Sequence, residues 1–221
     1  MGFILMIVIA VGLISAFVLL IFALATGKKR LRNLVLIGVP LWLLLYAALL
    51  IGFSWNSRQT YLPNNRAKSF CGFYFDCHLK ASVTNVRTAQ EIGGVKAQGI
   101  FYIVRIKIEN DSKSETLSMT APEATMIDEG PRLYSRIEAA EKQLPSGAKI
   151  PFNQSIPAGG SYEKEIVFDL TEPAKDLNLS ITDTHGFDRL IEAFLIGDEE
   201  SLFHEPTLFI IKKDSASYPN V

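Results

Sequence analysis

Residues Phe3 to Ala25 read FILMIVIAVGLISAFVLLIFALA, and residues Leu34 to Phe53 read LVLIGVPLWLLLYAALLIGF; between them stands TGKKRLRN, Thr26 to Asn33. The first run is 23 residues long and is broken only by Gly12 and Ser15; the second is 20 residues and polar only at the tips of Trp42 and Tyr46. A bilayer core of roughly 30 Å needs about 20 helical residues at 1.5 Å each, so either run is long enough to span it. The chain therefore reads as a two-helix transmembrane hairpin, residues 1–56, with everything else hung on one side of it.

The loop sets the orientation. Its four cations, Lys28, Lys29, Arg30 and Arg32, lie in a short connection, where positive charge tends to stay cytoplasmic. Met1-Gly2 adds only the terminal amine, and Arg58, Arg66 and Lys68 are spread over more than ten residues. The expected topology has a cytoplasmic basic loop and the C-terminal part outside. A cleaved signal peptide is the rival, since Ala23-Leu24-Ala25 has the small-x-small form. It lacks a basic leading region, and its apolar run far exceeds the usual 7–15 residues. Trp55 suits an interfacial anchor. Neither run contains an ionisable side chain other than the Tyr46 phenol, which argues against an ion pathway through this chain. Gly12/Ala16 and Ala48/Gly52 are small-xxx-small pairs suited to close helix approach, or ordinary lipid-facing composition. Pro40 is expected near the second turn of its helix, where it costs least.

All 23 acids and 18 of the 22 cations fall after residue 56, giving the exterior part a net charge of −5. That balance disfavours nucleic acid and anionic lipid as partners. Ser57 to Lys68 is polar and aperiodic, with Pro63 and two asparagines, and residues 57–69 read as a juxtamembrane linker. Residues 70–213 are enough for one domain with its own core, and 214–221 form a polar, flexible tail.

The domain opens with Cys71-Gly-Phe-Tyr-Phe-Asp-Cys77, which holds the only two cysteines. An even pair outside the membrane argues for a disulfide, which in so short a loop adds about 2–2.5 kcal/mol by chain entropy. Cys71, Asp76, Cys77 and His78 are a competing metal set, but the spacing is not a zinc spacing and the second half of a site is missing.

From His78 onward the pattern has period two. Ile100, Tyr102, Val104, Ile106 and Ile108 form one face of a long strand, with Arg105, Lys107 and Glu109 opposite. Ala89 to Gly99, with Gly93-Gly94, reads as an exposed connection. Leu117 to Ile127 is a weak strand interrupted by Pro122, and Arg132 to Tyr134 a short one. Ser135 to Gln143 suits two helical turns. Tyr162 to Leu170, Leu177 to Ile181 and Thr207 to Lys212 are further strands, while Arg189 to Ile196 fits a strand or a helical turn. Seven or so turn-bounded strands with hardly any helix describe an antiparallel β-sandwich.

The order of Ile103-Val-Arg-Ile-Lys-Ile-Glu-Asn110, Met126-Ile-Asp-Glu-Gly130 with Leu133-Tyr134, Ile156-Pro157 with Gly159-Gly160, and Val167-Phe-Asp-Leu170 resembles an immunoglobulin-like domain of unknown function found on bacterial lipoproteins and membrane-anchored proteins. Uncharacterised bacterial membrane proteins with a cysteine pair before the first strand are similar, and carry an Ile-Gly-Asp-x-x-Ser-x-x-His-x-Pro segment, here Ile196 to Pro206. The resemblance covers about residues 71–212. It implies a membrane-anchored all-β protein of the bacterial inner membrane, and no activity.

No Gly-x-Ser-x-Gly, His-Glu-x-x-His, phosphate-binding glycine loop or Cys-x-x-Cys occurs. His78, His185 and His204 have no spacing that singles out a triad, and Asp183 is expected to bond its own backbone in a turn. Asn110, Asn153 and Asn178 begin glycosylation sequons. The favoured interaction surface is the loop Ile196 to Pro206, with Asp198, Glu199, Ser201, Phe203 and His204 as its candidate residues. Leu202 and Phe203 are expected to tuck against the sandwich, leaving His204 near the surface. The expectation is a membrane-tethered, extracytoplasmic binding or assembly module, an accessory or scaffold part of the envelope. Its partners are the lipid bilayer and an envelope or membrane protein, with no cofactor, no metal and no nucleic acid. The alternative is an extracytoplasmic enzyme or metal-dependent protein with an unrecognised site.

Overall fold

The two apolar runs form the helices α1 (Gly2–Ala25) and α2 (Lys29–Trp55), in a computed structural model that describes residues 2–71, 77–130, 132–144, 150–171, 174–183 and 186–212. Both are long and apolar enough to cross a membrane. Ile14, Phe17, Ile37, Leu41 and Leu44 stay 64% to 70% exposed, so their apolar surface is turned outward rather than into a protein core. Trp42 lies opposite Gly12: a Cβ there would sit 3.5 Å from the indole Nε1. Nothing approaches Gly52 in the same way, so of the two small-residue pairs only the first has a glycine at a close contact.

The basic loop is shorter than its sequence suggests. Only Thr26 to Lys28 lie outside the helices, and Lys29, Arg30 and Arg32 occupy the first turn of α2, which contains no acid. Starting at Lys29 also moves Pro40 into the helix interior, where it removes one i→i−4 hydrogen bond, so the expected second-turn position is corrected.

The chain divides into two compact units, Met1–Arg58 with Gly186–Pro206, and Gln59–His185 with Thr207–Val221. The second is a β-sandwich. Its five-stranded sheet runs β1 (Thr60–Leu62), β9 (Thr207–Ile210), β8 (Asn178–Asp183), β5 (Pro122–Ile127) and β6 (Leu133–Ser135). Its four-stranded sheet runs β2 (Ala67–Phe70), β3 (Leu79–Ile92), β4 (Val95–Asn110) and β7 (Ser161–Leu170). All neighbours are antiparallel except β1 and β9, which are parallel, so the sheet is mixed at that edge.

Residues 57–69 are thus not an aperiodic stretch throughout, because they hold β1 and the first three residues of β2. Lys68 is the reason the stretch looks like solvent: its stem is buried, its ammonium donates to the Ile181 carbonyl at 2.9 Å and rests 5.3 Å from the Phe70 ring centroid. The expected exposed connection 89–99 is likewise strand up to a two-residue turn, Gly93-Gly94, with φ of 53° and 87°. Two positive φ values in a row are what a twist-matched hairpin turn requires, and glycine adopts them without a Cβ penalty. Pro122 begins β5 instead of interrupting a strand, at the position where its missing N–H matters least.

Strand β4 is buried on both faces. Val104, Ile106 and Ile108 enter the core between the sheets with Val83, Val86, Met126, Ile166, Phe168, Leu179, Ile181 and Phe209. On the other side, Phe101 and Ile103 lie under α3 (Glu138–Glu141) with Ala140, Leu144 and Val167. The alternation read from sequence holds, with Phe101 and Ile103 added as a second core.

Polar groups close the turns. Asn110 is buried: its amide nitrogen donates to the carbonyls of Glu115 at 2.7 Å and Ile156 at 2.9 Å, and its Oδ1 accepts from Ser112 N at 2.9 Å. Its amide is therefore committed to the fold rather than to a glycan. Asp183 accepts from the backbone N–H groups of Thr120 and Ala121 at 2.7 and 2.8 Å, so it fastens another segment; the next two residues of its own turn lie outside the described residues. Asp128 takes the N–H groups of Gly130 and Arg132 at 2.9 and 3.1 Å, the Arg132 Nε at 2.7 Å and the Tyr134 hydroxyl at 3.2 Å. Burial works against its charge, but these bonds and the Arg132 guanidinium outweigh it and hold its carboxyl below the ordinary range.

Two predictions follow from this packing. A Cβ at Gly99 would stand 2.0 Å from the Leu170 carbonyl oxygen, inside the β4–β7 ladder. Gly99→Ala should therefore cost about 1–3 kcal/mol and lower the thermal midpoint of the full chain in detergent; an unchanged midpoint would refute the close approach. Asp128 has a folded pKa below its unfolded one, so its contribution is complete above the ordinary carboxylate value of about 3.9 and fades as pH falls through the depressed one. Thermal midpoints of wild type and Asp128→Asn should differ by a constant amount at neutral pH and converge only in stronger acid than that value.

Candidate functional site

The segment between β8 and β9 starts with α4 (Gly186–Ala193), which settles the helix-or-strand ambiguity of 189–196 in favour of helix over its first half. Two tightened bonds end it, Phe194 N to Ile191 O at 3.0 Å and Leu195 N to Glu192 O at 2.9 Å, and Gly197 then takes φ 81°. The chain doubles back, with Leu202 N donating to Ala193 O at 3.0 Å. Short turns follow: Asp198 Oδ1 accepts from Glu200 N at 2.9 Å, Ser201 N donates to Asp198 O at 3.2 Å, and His204 N donates to Ser201 O at 3.1 Å.

This segment is laid along the end of α2, within the same compact unit. The Tyr46 hydroxyl donates to the Phe194 carbonyl at 2.5 Å, the Ser54 and Ser201 hydroxyls are 3.2 Å apart, and Glu205 N donates to Ser57 Oγ at 2.8 Å. The Ser54 and Ser201 pair is buried, so each hydroxyl has a partner where water does not reach.

A groove of about 610 Å³ opens between the two, lined by Ile51, Ser54, Trp55 and Ser57 of the α2 end and by Phe203, His204 and Glu205. Its floor is apolar and aromatic, with His204 and Glu205 supplying a polar rim. His204 Nδ1 lies 3.0 Å from the Glu205 carbonyl, within reach of a bond set by the ring's tautomer.

Among the candidate loop residues, Phe203 and His204 line the groove and Ser201 holds the loop to α2, while Asp198 and Glu199 are half-buried in the loop's own turns. The expectation that Leu202 and Phe203 tuck against the sandwich is corrected. Leu202 is exposed and Phe203 is 75% exposed, and the segment is attached through Phe194, Ser201 and Glu205 to α2 and Ser57. Tyr46, Ser54 and Ser57 were not legible as site residues; the signal was the pair of serines just beyond an apolar run. The cations Lys28, Lys29, Arg30 and Arg32 sit at the opposite end of α2, with Lys28 over the Phe22 ring at 5.2 Å.

Cys71 and Cys77 are joined in a disulfide, which removes both thiolates from any metal set. His78 and Lys80 both meet Asp111, the former at 2.6 Å, and bonds from Lys80 and then His78 hold the Asp111 carboxyl low. His185 lies outside the described residues, as does the tail 214–221. Among the described residues no three His, Cys, Asp or Glu side chains gather as a metal set would.

The sandwich has a second, polar hollow of about 470 Å³ beside Arg136, Glu141, Phe152 and Lys164. Arg136 grips Glu141 with two bonds of 2.9 and 2.7 Å and stacks 5.1 Å from the Phe152 centroid. Burial pushes the Lys164 ammonium towards its neutral form, against the attraction of Glu141 3.9 Å away. The Lys164 Nζ donates to the Ile150 carbonyl at 2.8 Å, so all three charges are engaged in holding the outer face of the sheet.

No family model matches the chain, and no curated protein matches it in sequence. Among solved structures it is similar to the secreted protein MPT63 of Mycobacterium tuberculosis, at 13% identity and a TM-score of 0.46, over 71% of this chain and 100% of that one. It is also similar to the yjhA protein of Bacillus subtilis, at 11% identity and 0.44, over 68% and 99%. An uncharacterised β-sandwich protein of Clostridium difficile follows at 10% identity and 0.42, over 71% and 97%.

Proposed function

We propose that the chain is a membrane-tethered, extracytoplasmic binding or assembly module, an accessory or scaffold component of a bacterial envelope. In this reading α1 and α2 cross the cytoplasmic membrane, the turn between them lies in the cytoplasm, and the sandwich, immunoglobulin-like in the order of its motifs, stands outside. There it presents its surface to an envelope or membrane protein partner. The proposal assigns no reaction to the chain.

One observation carries it. Lys29, Arg30 and Arg32 occupy the first turn of α2, where the helix dipole makes cations unfavourable by about 0.3–1 kcal/mol each. Three cations in that place do not serve the helix, and they fit a role in fixing which side of a membrane the turn stays on. The outward-turned apolar surface of both helices supports the same reading, and a disulfide suits an oxidising compartment.

The test is a topology reporter. A reporter active only outside the cytoplasm, fused after Val221, should be active. Neutralising Lys28, Lys29, Arg30 and Arg32 while adding cations after residue 55 should reverse it. An inactive wild-type fusion would remove the topology. For the assembly role, capture in mild detergent should return the same envelope proteins with the full chain and lose them with the hairpin alone; equal recovery by both would end that role for the sandwich.

A further inference from the structure

Several large apolar side chains of the segment Gly186–Pro206 are exposed, although Ile196 is buried. Leu190, Phe194, Leu202 and Phe203 are exposed, and beside them Trp55 is 84% exposed. Glu192 and Ser201 are buried, and Asp198, Glu199 and Glu200 are half-buried. In water the apolar side chains would be the covered ones, since each fully buried large side chain contributes about 1.5–3 kcal/mol. Phe203 adds a second anomaly: it holds φ at 67°, a backbone region costly to a bulky side chain, while its ring stands in the open.

Position along α2 accounts for the exposed apolar side chains. The apolar run of α2 ends at Phe53, and Tyr46 lies seven residues earlier, about 10 Å deeper along the axis. Phe194 is bonded to Tyr46, Ser201 to Ser54, and Glu205 to Ser57, so the returning chain climbs from that depth to the end of the helix. A bilayer that covers the apolar run of α2 must also cover Phe194. Backbone at such a depth is tolerated only if its polar groups are satisfied within the protein. Here the N–H groups of Phe194, Leu195, Asp198, Ser201, Leu202 and His204 donate to carbonyls of the segment itself, Glu200 N donates to Asp198 Oδ1, and Ser57 Oγ accepts the N–H of Glu205.

We propose that Gly186–Pro206 is a re-entrant segment that dips into the outer leaflet, with bilayer lipid as the occupant of the surface made by Phe194, Leu202, Phe203 and Trp55 and of the groove between Trp55 and Phe203. The inference rests on the reading that α2 spans a membrane. The exposed apolar side chains of the segment lie on chain that is bonded to α2, whose own apolar residues are exposed as well, which is why lipid covers them and not a soluble ligand. The half-buried acids Asp198, Glu199 and Glu200 lie in the segment's turns.

Because Cys71 and Cys77 are bridged, one introduced cysteine is the sole free thiol of the full chain. Phe194→Cys and Phe203→Cys, with Leu44→Cys as the mid-helix control and Leu133→Cys on β6 as the water control, are labelled with an environment-sensitive fluorophore. The proteins are placed in phosphatidylcholine nanodiscs. The expected result is that positions 194 and 203 lose emission to a lipid-borne quencher as strongly as 44 does. They should resist an aqueous quencher that acts at 133. If either follows 133, the segment lies in water and the proposal is overturned, with the spanning helices intact. Shielding from both quenchers means that a protein or a second copy covers the surface, which also overturns it. Aqueous quenching at 44 would overturn the membrane reading itself. If Phe194→Cys disturbs the packing around Tyr46, Leu202→Cys takes its place.

Discussion

Burial of β4 on both faces is the constraint from which the sandwich follows. A strand with Val104, Ile106 and Ile108 on one side and Phe101 and Ile103 on the other cannot rest at an edge or face water. It needs a neighbour along each side, supplied by β3 and β7, and a cover over each face. The five-stranded sheet is one cover and the single turn of α3 the other. Where the second cover stops, the outward residues of β4 change at once to Arg105, Lys107 and Glu109. Arg105 and Arg87 then share Glu165, a carboxylate nearly closed off by the two guanidinium groups.

The same two-faced burial explains the polar structure of the outer face. Glu141 is drawn under α3, where it accepts from the Val167 N–H at 3.2 Å and from both arms of Arg136. A charge in that position is tolerable because every lone pair that faces the sheet has a donor. Removal of the acid would leave Arg136 and Lys164 facing each other in a desolvated place, so the network stands or falls as a unit.

Much of this was legible in the sequence, and the exceptions have physical causes. The long apolar runs and the period-two face of β4 declare themselves, because burial over many residues leaves a repeated signal. The strands β1 and β2 did not, being three and four residues long and, in β2, burying a lysine by its stem. The strand ends around Gly93-Gly94 were hidden by exposed polar residues such as Gln90 and Glu91, beside which only Ile92 is buried, in the second core. The candidate loop was found by its unusual mixture of acids and aromatics. Its placement was not, since Tyr46 and Ser54 are separated from Phe194 and Ser201 by 148 and 147 residues. No local pattern encodes a partner at that distance.

The insertion of Gly186–Pro206 between two strands of one sheet makes the helical unit discontinuous in the chain. Ser57 has to wait for Glu205, 148 residues later, which at about 5–20 residues per second is roughly 7–30 s of synthesis. The arrangement also changes what a protease can do to the finished molecule. After a single cut between α2 and β1 the sandwich stays covalently attached to Gly186–Pro206 on both sides, and that segment holds residues 46–57 only by non-covalent bonds.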